Sequence, residues 1–90
     1  MPEFFPAITD TAAWSDQVTP YDKRHFLTYA RLLDADTANA DWREVARIVL
    51  LLDPDRDPQL AHRCWQTHLA RAKWMATTGY QQLLDNAGLH

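Results

Sequence analysis

Three carboxylates at alternate positions, Asp53, Asp55 and Asp57, are the side chains of this sequence that most resemble a cation site. Their spacing is that of a calcium-binding loop, in which oxygen ligands recur along a short turn. Such a loop also needs glycine at its sixth position and glutamate at its twelfth, where this chain has Pro58 and Cys64. We therefore interpret the aspartates as helix caps and turn formers.

Cys64 and His68 lie four residues apart, which is the spacing of two transition-metal ligands on one face of a helix. No second pair stands at a usable spacing, and a small buried thiol beside a core histidine explains the pair better. The remaining histidines are scattered and supply no nucleophile or base arrangement: His25, His62 and His90. Because the serine-elbow, phosphate-loop and metalloprotease motifs are also missing, we expect no enzyme, no cofactor and no metal.

The outward face of the long helix predicted after this turn carries the side chains that could read DNA. Arg63 and Gln66 would meet base edges, and Arg71 would meet phosphates. The carboxylates of residues 53–57 adjoin this face and would repel a phosphate backbone. An outward Trp74 is costly on a surface without a partner, which favours a protein contact. Three interpretations of the face stay open: a protein contact, a solvated surface and a DNA reader.

The stretch from Asp41 to Gly79 positions these side chains and predicts two helices joined by an acidic turn. Apolar residues recur at helical spacing on both sides of the turn. Asp41 and Asp57 are predicted N-caps, Pro54 ends the first helix, and Gly79 is a natural end of the second. The pattern is that of a helix-turn-helix with an extended turn.

An earlier helix is predicted to be capped by Thr19, to have Pro20 at its first position and to end at Leu33 or Asp34. Its apolar residues fall on two stripes. One stripe consists of Phe26, Tyr29, Ala30 and Leu33, and the other of Tyr21, His25 and Leu32. A helix that is apolar on two sides is either central in a bundle or an interface. As partner contacts we nominate Tyr21, His25 and Leu32, with Trp74 and Tyr80 as a second choice.

Residues 1–18 contain prolines among scattered aromatic residues and show no sustained period, so we expect an extended or partly disordered N-terminal arm. Two interpretations of the arm stay open, a strap over the helices and a segment that binds a partner. Residues 19–90 are predicted to form the helix-turn-helix-like domain. Its last element is a short helix that starts near Tyr80 and ends between Asn86 and Gly88.

The chain has 90 residues with nine basic and twelve acidic side chains, so its formal net charge is −3. A free-standing DNA-binding domain normally has a basic excess. Few glycines and three stretches of helical period predict an all-α fold, a small helical bundle. Since no apolar run reaches the length of a membrane span and no leader is recognisable, we expect a cytoplasmic protein without membrane contacts.

Four segments carry a resemblance to a known family: TPYD from Thr19, YARLLD from Tyr29, DWREVARIV from Asp41 and HLARAKWM from His68. They resemble a family of short proteobacterial domains that is described as the DNA-binding domain of the regulator RovC, and the resemblance extends over nearly the whole chain. The resemblance implies a helix-turn-helix with an extended turn, encoded on integrative and conjugative elements. Within the family, FseA-like activators carry a basic face and a second, fused domain, whereas acidic stand-alone members are antiactivators.

The negative charge, and the lack of room for a fused domain, make this chain similar to the antiactivators. The resemblance then implies a protein that binds FseA-like activators and TraR-like quorum-sensing regulators and so represses excision and conjugative transfer. We expect a monomer that works as a decoy by occupying the surface on which an activator docks. The alternative is a DNA-binding helix-turn-helix transcriptional regulator that uses Arg63, Gln66 and Arg71.

Overall fold

The computed structural model describes residues 8–86, and all its regular elements are helical. In chain order they are α1 (Pro20–Arg24), α2 (Phe26–Thr37), α3 (Trp42–Ile48), α4 (Pro58–Trp74), a π-helical segment (Met75–Gly79) and α5 (Tyr80–Asn86). No strand occurs between residues 8 and 86. The predicted all-α fold, a small helical bundle, is therefore confirmed, and α3 and α4 are joined by a long turn.

The first predicted helix consists of two helices, α1 and α2, which are separated at His25. The hydroxyl of Thr19 accepts the N–H of Asp22 at 3.2 Å, and the carboxylate of Asp22 accepts the N–H of Thr19 at 2.9 Å. The N–H of His25 then donates to the carbonyl of Asp22, only three residues back, at 3.1 Å. This tighter turn interrupts the helix. α2 continues to Thr37, beyond the predicted end at Asp34.

α3 ends at Ile48, well before the predicted end at Pro54, because the chain changes direction at Leu51. Leu51 has a φ of 58°, in the left-handed region that terminates many helices and that usually holds glycine or asparagine. The N–H of Leu52 then donates to the carbonyl of Ala46 at 3.0 Å, which closes the turn back onto α3.

α4 begins where the sequence predicts but does not end at Gly79. The carboxylate of Asp57 caps α4 by accepting the N–H of Leu60 at 3.1 Å. At the other end, the π-helical segment carries the chain directly into α5, so the predicted stop is wrong. A Cβ at Gly79 would lie 2.6 Å from Sδ of Met75 and 2.9 Å from the ring of Trp74. Glycine at this position therefore permits close packing and does not terminate the helix.

α4 is the central helix of the bundle and packs against both α2 and α3. The buried residues that form the core are Tyr29, Leu32, Val45, Leu50, Cys64, Leu69, Ala72 and Met75. Of the helices that the structure describes, none combines the length and apolar character needed to cross a lipid bilayer.

Residues 8–18, the described part of the predicted arm, form a strap across α4 and α5. The N–H of Ala12 donates to Oγ1 of Thr67 at 3.1 Å, and the N–H of Val18 donates to Oε1 of Gln82 at 3.0 Å. Of the two interpretations of the arm, the strap applies to this segment. The earlier residues of the arm lie outside the described part of the chain.

Candidate protein-binding surface

An apolar groove of about 360 Å³ runs between α2 and the end of the bundle formed by α4, the π-helical segment and α5. Its buried lining residues are Tyr29, Ala72 and Met75, and its other lining residues are Phe26, Ala30, Leu33, Ala76, Tyr80 and Leu83. Phe26 and Tyr80 keep 44% and 58% of their surface exposed. Exposed aromatic side chains beside an apolar groove are typical of a site that binds a protein partner. We call this surface the α2–α5 groove.

The stripe that was not nominated is the more exposed of the two, although its Tyr29 is buried. Phe26 and Ala30, from the stripe that was not nominated, border the groove, whereas His25 and Leu32 are each only 1% exposed. The nomination of His25 and Leu32 as partner contacts is therefore wrong, because neither side chain reaches the surface of this fold. Helical spacing identifies both stripes but does not show which one faces α4.

The third nominated residue of that stripe, Tyr21, is half-buried and its hydroxyl connects the strap to α4. The phenolic oxygen lies 2.6 Å from Nε2 of His68, and Nδ1 of His68 lies 2.7 Å from the carbonyl oxygen of Cys64. Nδ1 must carry the proton because a carbonyl can only accept, so Nε2 accepts a hydrogen bond from Tyr21. The same hydroxyl oxygen accepts the N–H of Thr9 at 3.0 Å. The polar end of Tyr21 therefore serves contacts inside the molecule.

Cys64 and His68 are both buried, which confirms the prediction that they are core residues. Sγ of Cys64 donates to the carbonyl of Thr9 at 3.5 Å. Burial, together with the charge of Asp10, raises the pKa of the Cys64 thiol to about 11. A thiol with so high a pKa is almost entirely protonated at neutral pH, so Cys64 is a weak nucleophile.

His25 is buried, and neither of its ring nitrogens has a hydrogen-bond partner among the described residues. Its ring packs against the ring of Tyr21 with 4.1 Å between the centroids. Burial is the largest cause that lowers the pKa of His25; His68 when it is protonated and the charge of Arg24 lower it further, and the carboxylate of Asp22 opposes them. Burial also lowers the pKa of His68. Both imidazoles are therefore neutral at pH 7, and charging either one inside the bundle is unfavourable.

We expect the free energy of unfolding to fall as the pH drops below about 6.5, the ordinary pKa of histidine. The unfolded chain takes up protons at His25 and His68 near that pH, whereas the folded chain takes them up only at lower pH. The contribution of the two neutral histidines to the free energy of unfolding is thus fully present above pH 6.5, and it is lost as the pH falls through their lowered pKa values. Urea titrations followed by circular dichroism at several pH values measure this loss. His25→Leu should reduce the pH dependence, and a flat profile for the unmodified protein would contradict the prediction.

Arg71 and Asp22 form a buried ion pair that fastens the strap to α1 and α4. Nε and Nη2 of Arg71 donate to Oδ1 and Oδ2 of Asp22 at 2.9 and 2.6 Å. The guanidinium also donates to the carbonyls of Ser15 and Gln17 at 2.5 and 2.7 Å. The hydroxyl of Tyr29 donates to Oδ1 of Asp22 at 2.8 Å. We call this group, Arg71, Asp22, Tyr29 and the two carbonyls, the arm latch.

The arm latch keeps both members of its ion pair charged. Burial by itself would raise the pKa of Asp22, but hydrogen bonds from Arg71, the N–H of Thr19 and the Tyr29 hydroxyl lower it to about 2. The same hydrogen bonds with Asp22 raise the pKa of Arg71. Two hydrogen bonds join the opposite charges of Arg71 and Asp22. The pair therefore tolerates burial that would be costly for either residue alone.

The arm latch removes Arg71 from the surface that DNA binding would need. With 1% of its side chain exposed, Arg71 cannot contact phosphates, and that part of the DNA-binding prediction is wrong. Lys73, also on α4, pairs with Asp36 of α2 at 3.4 Å on the surface. Arg63 and Gln66 are exposed on α4, as predicted. Among the described residues, Arg63 is thus the one cationic side chain of α4 for which no ion pair is observed.

The sequence predicts that Trp74 points outward, but its side chain is half-buried in the structure. Trp14 of the strap stands edge-on to it at 6.0 Å, and the Arg71 guanidinium lies over its ring at 4.0 Å. The strap therefore covers part of the expected contact surface of Trp74. Tyr80, the other second-choice residue, is exposed in the α2–α5 groove and is the nominated residue best placed to contact a partner.

The groove residues that were not nominated come from α2, α4, the π-helical segment and α5. Phe26 and Leu33 share a stripe that was visible in the sequence, so their spacing was a usable signal. Leu83 gave a weaker signal, because its position depends on the π-helical segment. A π-helical turn contains an extra residue and so shifts the register of everything after it, and such turns are frequent at functional sites.

No protein-family model and no curated protein matches this chain.

Proposed function

We propose that this protein is an antiactivator that binds transcriptional activators through the α2–α5 groove. One observation carries the proposal: an open apolar groove with two exposed aromatic side chains, Phe26 and Tyr80. Aromatic anchors of this kind supply much of the binding energy at protein interfaces. A groove between two helices fits the apolar face of an amphipathic helix, a common mode of peptide recognition.

The burial of Arg71 supports a protein partner over a nucleic acid. DNA affinity depends on several cationic side chains that neutralise phosphates together. On α4, Arg71 is enclosed in the arm latch and Lys73 is paired with Asp36, which leaves Arg63. The formal net charge of −3 adds a general repulsion of DNA.

The partners that we propose are FseA-like activators and TraR-like quorum-sensing regulators, from the resemblance to QseM-type antiactivators of conjugative elements. Activators of that family contain a domain that resembles this chain. A free copy of the domain can occupy the docking surface of the activator's own domain but cannot hold DNA itself. Excision and conjugative transfer are then repressed by competition.

Tyr80→Asp is expected to weaken binding of a purified FseA-like activator by at least about tenfold, since truncation of an aromatic anchor typically costs about 2 kcal/mol or more. A charge introduced into an apolar groove must also be desolvated on binding. Isothermal titration calorimetry measures the affinity. Leu27→Asp is the matched control, because Leu27 is exposed on α2 and does not line the groove. Both variants should keep the thermal stability of the parent, as surface substitutions normally do.

If the parent and Tyr80→Asp bound the activator with equal affinity, the α2–α5 groove would not be the binding site. The DNA-binding alternative is tested with a mobility-shift titration of operator fragments at low and physiological ionic strength. That alternative predicts retardation that weakens steeply with salt and is lost in Arg63→Ala. Retardation at physiological ionic strength without any binding to the activators would contradict the antiactivator role.

A further inference from the structure

A second apolar surface lies at the extended turn between α3 and α4. Ile48 and Leu51 are the most exposed large aliphatic residues of the described chain, with 62% and 69% of their surface accessible. Leu51 also lines a cleft of about 410 Å³, which we call the turn cleft; the cleft is lined chiefly by Leu51, Leu52, Asp53, Arg56, Asp57 and Leu60. Neither Ile48 nor any of these lining residues belongs to the α2–α5 groove.

Leu51 also has an unfavourable backbone conformation for a leucine. Its φ of 58° lies in the left-handed region, which is unfavourable for leucine and which glycine or asparagine adopts at lower cost. A leucine in that conformation could be compensated by packing in the core, but the Leu51 side chain points into solvent. The turn therefore accepts backbone strain and still leaves most of an apolar side chain exposed.

The charges around the turn cleft are mainly negative. Asp53, Asp55 and Asp57 are exposed along the turn, and Arg47 and Arg56 are the neighbouring cations. Arg47 is already engaged at the surface, because its guanidinium is 2.8 Å from the carboxylate of Glu44 and 3.5 Å from that of Asp55. Arg56 lines the cleft beside Asp53 and Asp57, and the border carries three aspartates against two arginines. This small negative excess favours a cationic partner over an anionic one.

We propose that Ile48, Leu51 and the turn cleft bind a basic amphipathic segment of a protein partner. Leucine or isoleucine side chains of that segment would pack against Ile48 and Leu51, while its lysines or arginines would face the turn aspartates. The apolar contact supplies affinity and the charges select the partner. This site does not depend on the antiactivator role or on the α2–α5 groove.

The probe is a fluorescein-labelled synthetic peptide of leucine and lysine, with leucine at helical spacing so that one face is apolar. Fluorescence anisotropy at low salt should show saturable binding to the full-length protein. Leu51→Asn should weaken binding at least tenfold, and it should keep the fold because asparagine tolerates the left-handed conformation. Asp55→Asn should weaken binding several-fold, with the difference disappearing at high salt. Tyr80→Asp and Leu27→Asn should bind the peptide like the parent.

Several outcomes would overturn the proposal. These are an absence of saturable binding up to millimolar protein, equal binding of a matched leucine–glutamate peptide, and full affinity of a folded Leu51→Asn variant. An equal loss in Leu27→Asn would mean that the peptide adheres to any exposed apolar residue. Sedimentation velocity completes the test. Self-association of the parent that Leu51→Asn abolishes would assign the surface to a second copy of this chain and not to a basic segment.

Discussion

Arg71→Met is expected to destabilise the protein by about 3–5 kcal/mol, the usual cost of removing one partner from a buried ion pair. The substitution leaves the carboxylate of Asp22 charged and buried, and it deprives the carbonyls of Ser15 and Gln17 of their donors. The arm should then detach from α4. Urea unfolding followed by circular dichroism gives the change in free energy, and protection of residues 8–18 from hydrogen exchange reports on the arm.

Two further variants make the test specific. Arg63→Met changes an exposed arginine on the same helix and should alter the free energy of unfolding by no more than about 0.5 kcal/mol. The double variant Asp22→Leu/Arg71→Met should recover a large part of the loss, because exchanging both members of a buried pair for apolar residues is often nearly neutral. If Arg71→Met lowered the free energy of unfolding no more than Arg63→Met does, the arm latch could not be what fastens the strap to α1 and α4.

Leu32→Ala is expected to lower the free energy of unfolding by about 2–5 kcal/mol, because the substitution leaves a cavity in a core that only partly collapses around it. Leu32 is buried and belongs to the same core cluster as Tyr29 and Leu69. Thermal and urea unfolding measure the loss. Any decrease in partner binding by this variant should disappear once affinity is expressed per folded molecule.

Leu27→Ala is the control for this substitution, since Leu27 also lies on α2 but is exposed. Its stability should stay within about 0.5 kcal/mol of the parent. A Leu32→Ala protein that unfolded like the parent and yet bound its partner more weakly would restore Leu32 as a surface contact. It would also contradict the burial of Leu32 in the structure.

The helical elements were predictable because their signals are local. The caps at Thr19 and Asp57 and the prolines after them mark helix starts that depend only on neighbouring residues. The predicted helix end at Gly79 was wrong because it rested on a local signal alone. A local rule assigns glycine to a helix end, whereas this glycine is required by its contacts with Met75 and Trp74.

The candidate site was less predictable because it depends on which helix covers which face. The sequence contains both apolar stripes of α2, but only the position of α4 makes Leu32 internal and leaves Phe26 at the surface. The sequence gives no reason to treat Arg71 and Arg63 differently, because both are arginines on α4. In the fold, Asp22, which is 49 residues away from Arg71 along the chain, pairs with Arg71 and not with Arg63. Such long-range pairing has no signature in the spacing of residues along the chain.

The arm latch has a consequence for how this protein can diverge. Arg71 grips the strap through the main-chain oxygens of Ser15 and Gln17, which every amino acid possesses. Attachment therefore places little demand on the side chains at those two positions, while Arg71 and Asp22 must change together or not at all. The strap can accumulate substitutions that alter what the molecule displays beside Trp74, and its anchorage to the helices would persist.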